Sequence, residues 1–290
     1  MCWSHKAARN VSLLAGVVVA WLGVARAGNA PIPFHEKTFA QLSDRRVTEV
    51  GRQALDAAPD TWKHAETAHF VIHFQRSGPR VASRCEDFYA ETREFFGNRA
   101  DRTPDAKSHV FAFSDDTAWR TFKSAVRLSP LVAGVTIDTE FFWKATDDRG
   151  QFEDLAPVQR HEMTHLIFNR LFEGRPPLWL NEGIAEFFGH RRQWTSVAYR
   201  QRLRAAPDAP LTEVFAARRY PRSELAIHTF YVEASRLVFF LARNPARQAL
   251  LPKFTEAMIA GQSIEEALQI YGYEDLDDFT RDYRKFCDTL

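Results

Sequence analysis

Apolar residues follow one spacing before about residue 150 and another after it. From His69 to Phe74 they alternate with polar residues, so Phe70, Ile72 and Phe74 share one face, which is the period of a half-buried β-strand. Beyond residue 150 they recur every three or four positions, as in amphipathic helices. The pattern predicts an α+β fold, in which a small N-terminal sheet with helices precedes a mostly helical C-terminal part.

The same patterning bounds the other predicted elements. Strands are predicted at Ser108–Phe113 and in the region Leu131–Trp143, which is rich in β-branched and aromatic residues. N-terminal helices are predicted around Thr38–Leu55, at Pro79–Phe96 and after a cap at Ser114–Asp116. The C-terminal helices, separated by prolines and a glycine, are Trp194–Arg204, Leu211–Ala217, Ser223–Arg243, Arg247–Ile259, Ile264–Tyr271 and Leu276–Cys287.

Two histidines lie on the polar face of the first predicted strand. His69 and His73 are four positions apart, an even number, and so share one side of that strand. Two imidazoles on one side can in principle bind a metal ion. We interpret them instead as a solvent-exposed strand face, which is the commoner situation.

The first residues have the form of a secretory signal peptide. Lys6 and Arg9 precede an uncharged run from Val11 to Ala25, and Ala25-Arg26-Ala27 has the A-x-A form of a cleavage site. Fifteen uncharged residues are too few for a comfortable membrane span. Residues 1–27 therefore predict export to a periplasmic or extracellular location, without stable membrane association after cleavage. An uncleaved anchor is the alternative.

The charge balance argues against nucleic acid as a partner. Removal of residues 1–27 takes away three basic residues and no acid, which leaves 35 basic and 37 acidic residues. Binding to nucleic acid or to an anionic membrane surface calls for a basic excess, and this chain has none.

Two cysteines remain once Cys2 is removed with the signal peptide. In an oxidising compartment Cys85 and Cys287 can form a disulfide that ties the C-terminal helix to the N-terminal half. Two buried free thiols are the alternative, because the sequence does not show whether their Cα atoms approach.

The most informative stretch is His161-Glu162-Met163-Thr164-His165, of the form H-E-x-x-H. Two histidines four residues apart on a helix lie on one face, about 6 Å apart at their Cβ atoms. Both ring nitrogens can then reach one metal ion at roughly 2.0–2.1 Å. Glu162 is placed to contact a water molecule on that ion, so a third ligand and an open position would complete a hydrolytic site.

A second stretch, Trp179-Leu180-Asn181-Glu182-Gly183-Ile184-Ala185-Glu186, follows the turn at Gly174–Pro177. A helix from about Leu178 to Phe188, folded back across that turn, can present Glu182 to the two histidines. Glu186 lies four residues on and can accept a hydrogen bond from the outer nitrogen of a ligand histidine. Asn181 is interpreted as a cap of this helix. The alternative is that these histidines and carboxylates form two solvated helix faces.

Together the two motifs resemble those of the gluzincin metallopeptidases, which include thermolysin and the aminopeptidase N family. Within that group the chain is similar to secreted bacterial proteins of the peptidase MA-like kind. The resemblance implies a thermolysin-like catalytic domain, bound Zn²⁺, Glu182 as the third ligand and a peptide or protein substrate. A segment like G-A-M-E-N, which holds the substrate amino terminus in the aminopeptidases, is missing, and this argues against aminopeptidase specificity.

The resemblance also implies roles for later residues. In gluzincins an edge strand beside the zinc pairs with the extended substrate, and Val135–Phe141 is the candidate; an ordinary core strand is the alternative. Tyr231 is expected to donate to the developing oxyanion because Tyr231-Val232-Glu233-Ala234 is similar to the aminopeptidase Y-E-x-G-A run. His228 is the second choice for this role, and a core position is the alternative for Tyr231.

Four segments and one catalytic mechanism are predicted from these observations. The segments are a signal peptide at 1–27, an N-terminal lead and helix at 28–62, an α/β subdomain with the edge strand at 63–150 and a helical zinc-binding catalytic subdomain at 151–290. Glu162 is expected to act as general base and then as general acid in peptide hydrolysis. The alternative is a non-catalytic zinc-binding or partner-binding protein on a peptidase-like scaffold.

Overall fold

The structure, a computed structural model, describes residues 34–130, 132–145 and 156–290. Its architecture is α+β, as the hydrophobic pattern predicts. The predicted signal peptide at residues 1–27 lies outside the described residues. The strands are β1 Glu36–Lys37, β2 Lys63–Glu66, β3 Phe70–Phe74, β4 Ser108–Phe113, β5 Gly134–Ile137 and β6 Glu140–Lys144.

These strands form one mixed sheet in the order β1-β2-β3-β4-β6-β5. Strand β4 is parallel to both of its neighbours, β3 and β6, and the remaining pairs are antiparallel. Strand β5 is therefore the last strand at one side of the sheet and has β6 as its only strand partner among the described residues. This edge is the part of the sheet that adjoins the candidate site.

Helices cover both faces of the sheet, and most of them lie in the C-terminal half. The described residues form α1 Glu49–Asp56, α2 Gly78–Phe95, α3 Asp116–Ala125, α4 Ala156–Leu171, α5 Leu178–His190, α6 Val197–Ala205, α7 Leu211–Ala216, α8 Glu224–Leu241, α9 Pro245–Gln248, α10 Leu251–Ile259, α11 Ile264–Leu268 and α12 Leu276–Asp288.

Alternate residues of the central strands enter two separate cores. One face of the sheet packs with α2, α4, α5 and α8 into the main core, which includes Phe70, Val110 and Phe141. The other face packs with α1 and α3 into a smaller aromatic cluster that includes Phe111 and Phe142. Because both faces are buried, β3 and β4 consist of buried residues throughout, as expected for the parallel part of a sheet.

The predicted single strand region Leu131–Trp143 is a hairpin instead. Strands β5 and β6 pair antiparallel around Asp138-Thr139, and Asp138 has a φ of 53°. Aspartate tolerates this left-handed conformation in a tight turn better than most residues. The edge strand is thus Gly134–Ile137, whereas Phe141 of the predicted range Val135–Phe141 belongs to the inner strand β6.

The prediction of a helix at Thr38–Leu55 is wrong for the first half of that range. The structure has a short 3-10 turn at Phe39–Gln41, and α1 begins only at Glu49. Glu66 accepts hydrogen bonds from the backbone N–H and the hydroxyl of Ser43. Thr48 caps α1, because its side chain accepts from the backbone N–H of Gly51. These long-range and capping bonds hold residues 43–48 in an irregular path.

The interpretation of His73 as solvent-exposed is also wrong. Its ring is completely buried, stacked on Phe111 and hydrogen-bonded at Nδ1 to His64 and at Nε2 to His109. The polar face of β3 is covered by the chain around Phe39, which no alternation pattern reveals. His69 precedes the strand, where its Nδ1 lies 2.6 Å from Glu86.

The C-terminal helices follow the predicted bounds to within about three residues, but two of the predicted helices are not continuous. The predicted helix Ile264–Tyr271 consists of α11 and a 3-10 turn at Gln269–Tyr271. The predicted helix Arg247–Ile259 separates into α9 and α10, and Pro252 occupies the first turn of α10. Proline lacks the N–H that a continuous helix needs at that position. Cys85 and Cys287 are free thiols in the structure, the first of them buried.

Among the described helices, none is by itself long and apolar enough to cross a bilayer. Helix α8 and the segment Pro245–Ile259 meet the length and hydropathy criteria only as a pair, and the two are bent by 108°.

Candidate metal centre

Two glycines let three helices approach closely around the two motifs. A Cβ atom on Gly183 of α5 would lie 2.4 Å from the carbonyl oxygen of Ala234 on α8. A Cβ atom on Gly189 would lie 3.0 Å from the carbonyl oxygen of Pro157 on α4. Helix α5 therefore packs directly between α4 and α8, and the turn after α4 brings the second motif back to the first.

The packing brings the three predicted ligand atoms together. Nε2 of His161 lies 3.2 Å from Nε2 of His165 and 3.3 Å from Oε2 of Glu182, and Nε2 of His165 lies 3.7 Å from the same Oε2. Ligand atoms about 2.0–2.1 Å from a tetrahedral zinc ion are separated by roughly 3.3–3.4 Å. The triangle therefore has the dimensions of three corners of a zinc site.

The surroundings of Glu182 fit a bound cation as well. Glu182 is 1% exposed, and its Oε2 makes no hydrogen bond of normal geometry to any described residue, although it faces the two histidine nitrogens. The other oxygen, Oε1, accepts a hydrogen bond of 2.7 Å from the hydroxyl of Tyr220 and a longer one of 3.4 Å from Asn181. A buried carboxylate oxygen without a donor is costly unless a cation takes that place. Two imidazoles and one carboxylate are a donor set that suits zinc.

Glu186 lies behind His161, on the side away from the triangle. Its Oε1 is 3.0 Å from Nδ1 of His161, and its Oε2 is 3.2 Å from Nδ1 of His190. This contact fixes the orientation of the His161 ring and leaves Nε2 directed at the other two ligands. Glu186 thus makes the predicted contact with the outer nitrogen of His161. It also contacts His190, which the motif does not predict.

The two buried carboxylates favour a positive charge between them. Burial disfavours the charged form of His161, but the carboxylates of Glu182 and Glu186 outweigh burial and raise its pKa to about 10. Burial also opposes ionisation of the two glutamates. Their histidine partners nevertheless lower the pKa of Glu186 to about 2 and that of Glu182 well below its usual range. In the absence of a metal ion, a proton on His161 balances the carboxylates.

Glu162 connects α4 to the edge strand. Its Oε2 accepts a hydrogen bond of 2.8 Å from the backbone N–H of Thr136 on β5, and its carbonyl oxygen accepts one of 2.8 Å from the Thr136 hydroxyl. Gly134 lies close to the same helix, because a Cβ atom there would be 3.2 Å from Val158. The edge of β5 and the triangle therefore border one space.

That space is a cleft of about 480 Å³, lined by the three residues of the triangle, Glu162, residues of β5, Asn181, Tyr220 and Tyr231. The Tyr231 ring lies 6.2 Å from the His161 ring and stacks on Tyr220 at 6.0 Å. Burial, together with the negative charge of Glu182, raises the pKa of both phenols, so both remain protonated donors at neutral pH. We refer to this space as the central cleft.

Two of the predicted site residues are placed differently from expectation. His228 is exposed on α8 and does not line the central cleft. Asn181 does not cap its helix, because α5 begins at Leu178 after Pro177. Instead Asn181 belongs to the first turn of α5, and its side-chain amide faces the cleft beside Glu182.

Tyr220 is the functional candidate that the sequence analysis missed. It lies in the irregular segment between α7 and α8, 38 residues from Glu182 along the chain. The only signal was an aromatic residue in an otherwise basic and proline-containing stretch, Arg218-Arg219-Tyr220-Pro221. No periodicity identifies such a residue, because its partner depends on the path of a loop.

The comparisons with known proteins do not add to this geometry, since no family model and no curated protein matches the chain.

Proposed function

We propose that the protein is an exported zinc-dependent peptidase with a gluzincin-type catalytic domain. The observation that carries the proposal is the convergence of His161, His165 and Glu182 at tetrahedral spacing, with Glu162 at the same cleft. A purely structural zinc site closes with a fourth protein ligand. Among the described residues this cluster offers three, and all three line the cleft.

His161 and His165 would hold the ion through Nε2, and Glu182 would hold it through Oε2. A bound zinc ion would supply Lewis acidity, which lowers the pKa of a water ligand towards about 7 and polarises a carbonyl group. Glu186 keeps His161 in the tautomer with its lone pair at Nε2. Tyr220 occupies Oε1 of Glu182 and so leaves one oxygen for the ion.

Glu162 is the group that moves protons. The backbone N–H of Thr136 fixes one oxygen of its carboxylate, and the other is available to take a proton from the attacking water. The same carboxylic acid can then donate that proton to the leaving amine, so one residue serves as base and acid. Its fixed position relative to the ligands provides the orientation that such a transfer needs.

The edge of β5 is the proposed substrate-binding strand. Val135 faces Phe142 in the β5–β6 pairing, whereas the N–H of Thr136 points away from the sheet and donates to Glu162. Because successive main-chain groups of a strand point to opposite sides, the carbonyl of Thr136 and the main-chain groups of Gly134 are the ones left for a substrate strand. An extended peptide can add to this edge through main-chain hydrogen bonds, as other peptides do at exposed strands. Its scissile carbonyl would then lie between Glu162 and the hydroxyl of Tyr231.

Tyr231 is the proposed donor to the developing oxyanion. It lines the cleft near the ligand triangle, and its raised pKa keeps the proton on the phenol. A single donor at such a position typically changes kcat by about 10²–10³-fold. His228 drops out of this role because it does not reach the cleft.

The decisive experiment combines metal analysis with hydrolysis. The purified protein should carry one zinc ion per chain and cut members of a mixed peptide library, and a chelator should abolish the cutting. The Glu162→Gln variant should retain zinc and lose hydrolysis. Stoichiometric zinc without hydrolysis in the unaltered protein would support the non-catalytic alternative, and retention of zinc by a His161→Ala/His165→Ala double variant would reject this centre.

A further inference from the structure

A second cavity adjoins the central cleft and carries no acidic residue. It has a volume of about 420 Å³ and shares Arg175, Asn181 and Tyr220 with the cleft. Its wall is apolar, with Leu178, Ala217 and Met258 among its residues, and Arg218 is its second charged group. We call this cavity the arginine annex.

The two arginines of the annex are poorly neutralised. Arg218 makes no ion pair or side-chain hydrogen bond with any described residue. Arg175 has one carboxylate near it, Asp138 at 4.0 Å, and both side chains are more than two-thirds exposed. Such an exposed, distant pair contributes little attraction. The annex therefore has a net positive potential beside an apolar wall.

The direction of β5 indicates which part of a peptide meets the annex. Thr136 contacts Glu162 in the middle of the cleft, and the strand then runs on to Asp138, beside Arg175. A peptide added antiparallel to β5 has its amino-terminal part at the carboxyl end of that strand. Residues on the amino side of the scissile bond consequently lie towards the annex.

We propose that the arginine annex is a specificity subsite for a carboxylate-bearing side chain on the amino side of the scissile bond. The inference rests on the proposed peptidase function and adds the substrate class to it. The methylene groups of a glutamate side chain pack on the apolar wall while its carboxylate meets Arg175 and Arg218. Arginine suits this recognition, because its planar fork binds a carboxylate in bidentate fashion.

The expected preference is moderate, since both arginines are solvent-exposed. Peptides with glutamate at the annex position should exceed their glutamine counterparts in kcat/KM by about three- to tenfold at low ionic strength. The preference should shrink at about 0.5 M salt, because exposed charges are screened over a few ångströms there. A preference that arises from shape alone does not depend on salt.

The test uses peptides blocked at both ends and derived from the best library substrate. Glutamate and glutamine are compared at each of the three positions on the amino side of the cut. A further peptide carries a free carboxyl terminus and no acidic side chain, which separates a side-chain carboxylate from a terminal one. Arg175→Gln and Arg218→Gln should reduce the glutamate preference, whereas Arg52→Gln on α1, an exposed arginine away from the cleft, should not.

The outcomes separate this inference from the peptidase proposal. Hydrolysis with equal kcat/KM for glutamate and glutamine peptides overturns the annex assignment and leaves the peptidase standing. A preference for the free carboxyl terminus alone also overturns it. If no peptide is cut, the peptidase proposal fails, and equilibrium binding of labelled peptides to zinc-loaded Glu162→Gln protein decides the annex. A glutamate preference that Arg218→Gln removes supports it, and the absence of any preference rejects it.

Discussion

Tyr220 donates a hydrogen bond of 2.7 Å to Oε1 of Glu182, on the side of the carboxylate away from the two histidines. The contact leaves Oε2 alone directed at His161 and His165. In the proposed zinc site it is a positioning contact, because the phenol would act on the ion only through the carboxylate. Tyr231 stacks on Tyr220 and also interacts with Glu182, whose negative charge helps to raise the pKa of the Tyr231 phenol. The short hydrogen bond of 2.7 Å to Oε1 belongs to Tyr220, so the two tyrosines should differ in how strongly they support the carboxylate.

We expect Tyr220→Phe to weaken zinc binding by about 10- to 100-fold, the usual effect of losing a partner that orients a ligand. The fold should persist, since half of the Tyr220 side chain is already in solvent. Competition with a chelator measures the affinity without any assay of activity. Tyr231→Phe is the matched comparison, which should weaken zinc binding less than Tyr220→Phe and reduce kcat more. Equal affinities of Tyr220→Phe and wild-type protein would show that the contact does not support the ligand.

Gly183 is predicted to be essential for helix packing. Alanine normally favours a helix over glycine by about 1 kcal/mol. Here its Cβ atom would lie 2.4 Å from backbone of α8, which cannot move aside like a side chain. Gly183→Ala should therefore lower the free energy of unfolding by about 1–3 kcal/mol. Gly189→Ala, with its nearest contact at 3.0 Å, should cost less. Denaturant unfolding of both variants checks the order, and a stabilised Gly183→Ala protein would contradict it.

The convergence of His161, His165 and Glu182 could be predicted from the sequence because helical geometry determines it locally. Four-residue spacing places His161 and His165 on one face, and a turn with Gly174 and prolines returns Glu182 to them. Tyr220 could not be predicted in this way, because its contact joins residues from a loop and a helix 38 positions apart.

The difference between local and long-range contacts also explains what the sequence analysis missed in the sheet. Strands β3 and β4 have clear apolar patterns and were predicted almost to the residue. The four-residue strand β2 contains Lys63, His64 and Glu66, so its polar sequence carries no strand signal. Its buried side chains depend on partners from distant segments, as His64 does on His73.

Those histidines predict a pH dependence of stability that is independent of the metal centre. His64, His73 and His109 form a hydrogen-bonded chain across β2, β3 and β4. Burial lowers the pKa of all three, that of His109 to about 4. Between that value and about 6.5 the unfolded chain binds more protons than the folded one, so stability must fall as pH falls.

We expect each such histidine to lower the free energy of unfolding by up to about 1.4 kcal/mol per pH unit within that window. Unfolding measured from pH 7 to pH 4.5 in the presence of a chelator removes the contribution of metal binding. The free energy of unfolding of His109→Gln should fall less steeply with falling pH than that of wild-type protein. The difference in slope should correspond to about one proton fewer bound on unfolding. Parallel declines of the two proteins would mean that His109 titrates alike in the folded and unfolded states.

Zinc binding should strengthen as pH rises. His161 must give up its proton to coordinate through Nε2, and its pKa is raised to about 10 by its carboxylate partners. A proton therefore competes with the metal ion throughout the neutral range, and the apparent dissociation constant should fall about tenfold per pH unit for each proton displaced. Chelator competition at pH 6, 7 and 8 measures this slope. His228→Ala, which removes an exposed histidine outside the cleft, should leave both the affinity and the slope unchanged. An affinity that does not vary with pH would show that the ion binds elsewhere, because the buried His161 cannot coordinate it without losing a proton.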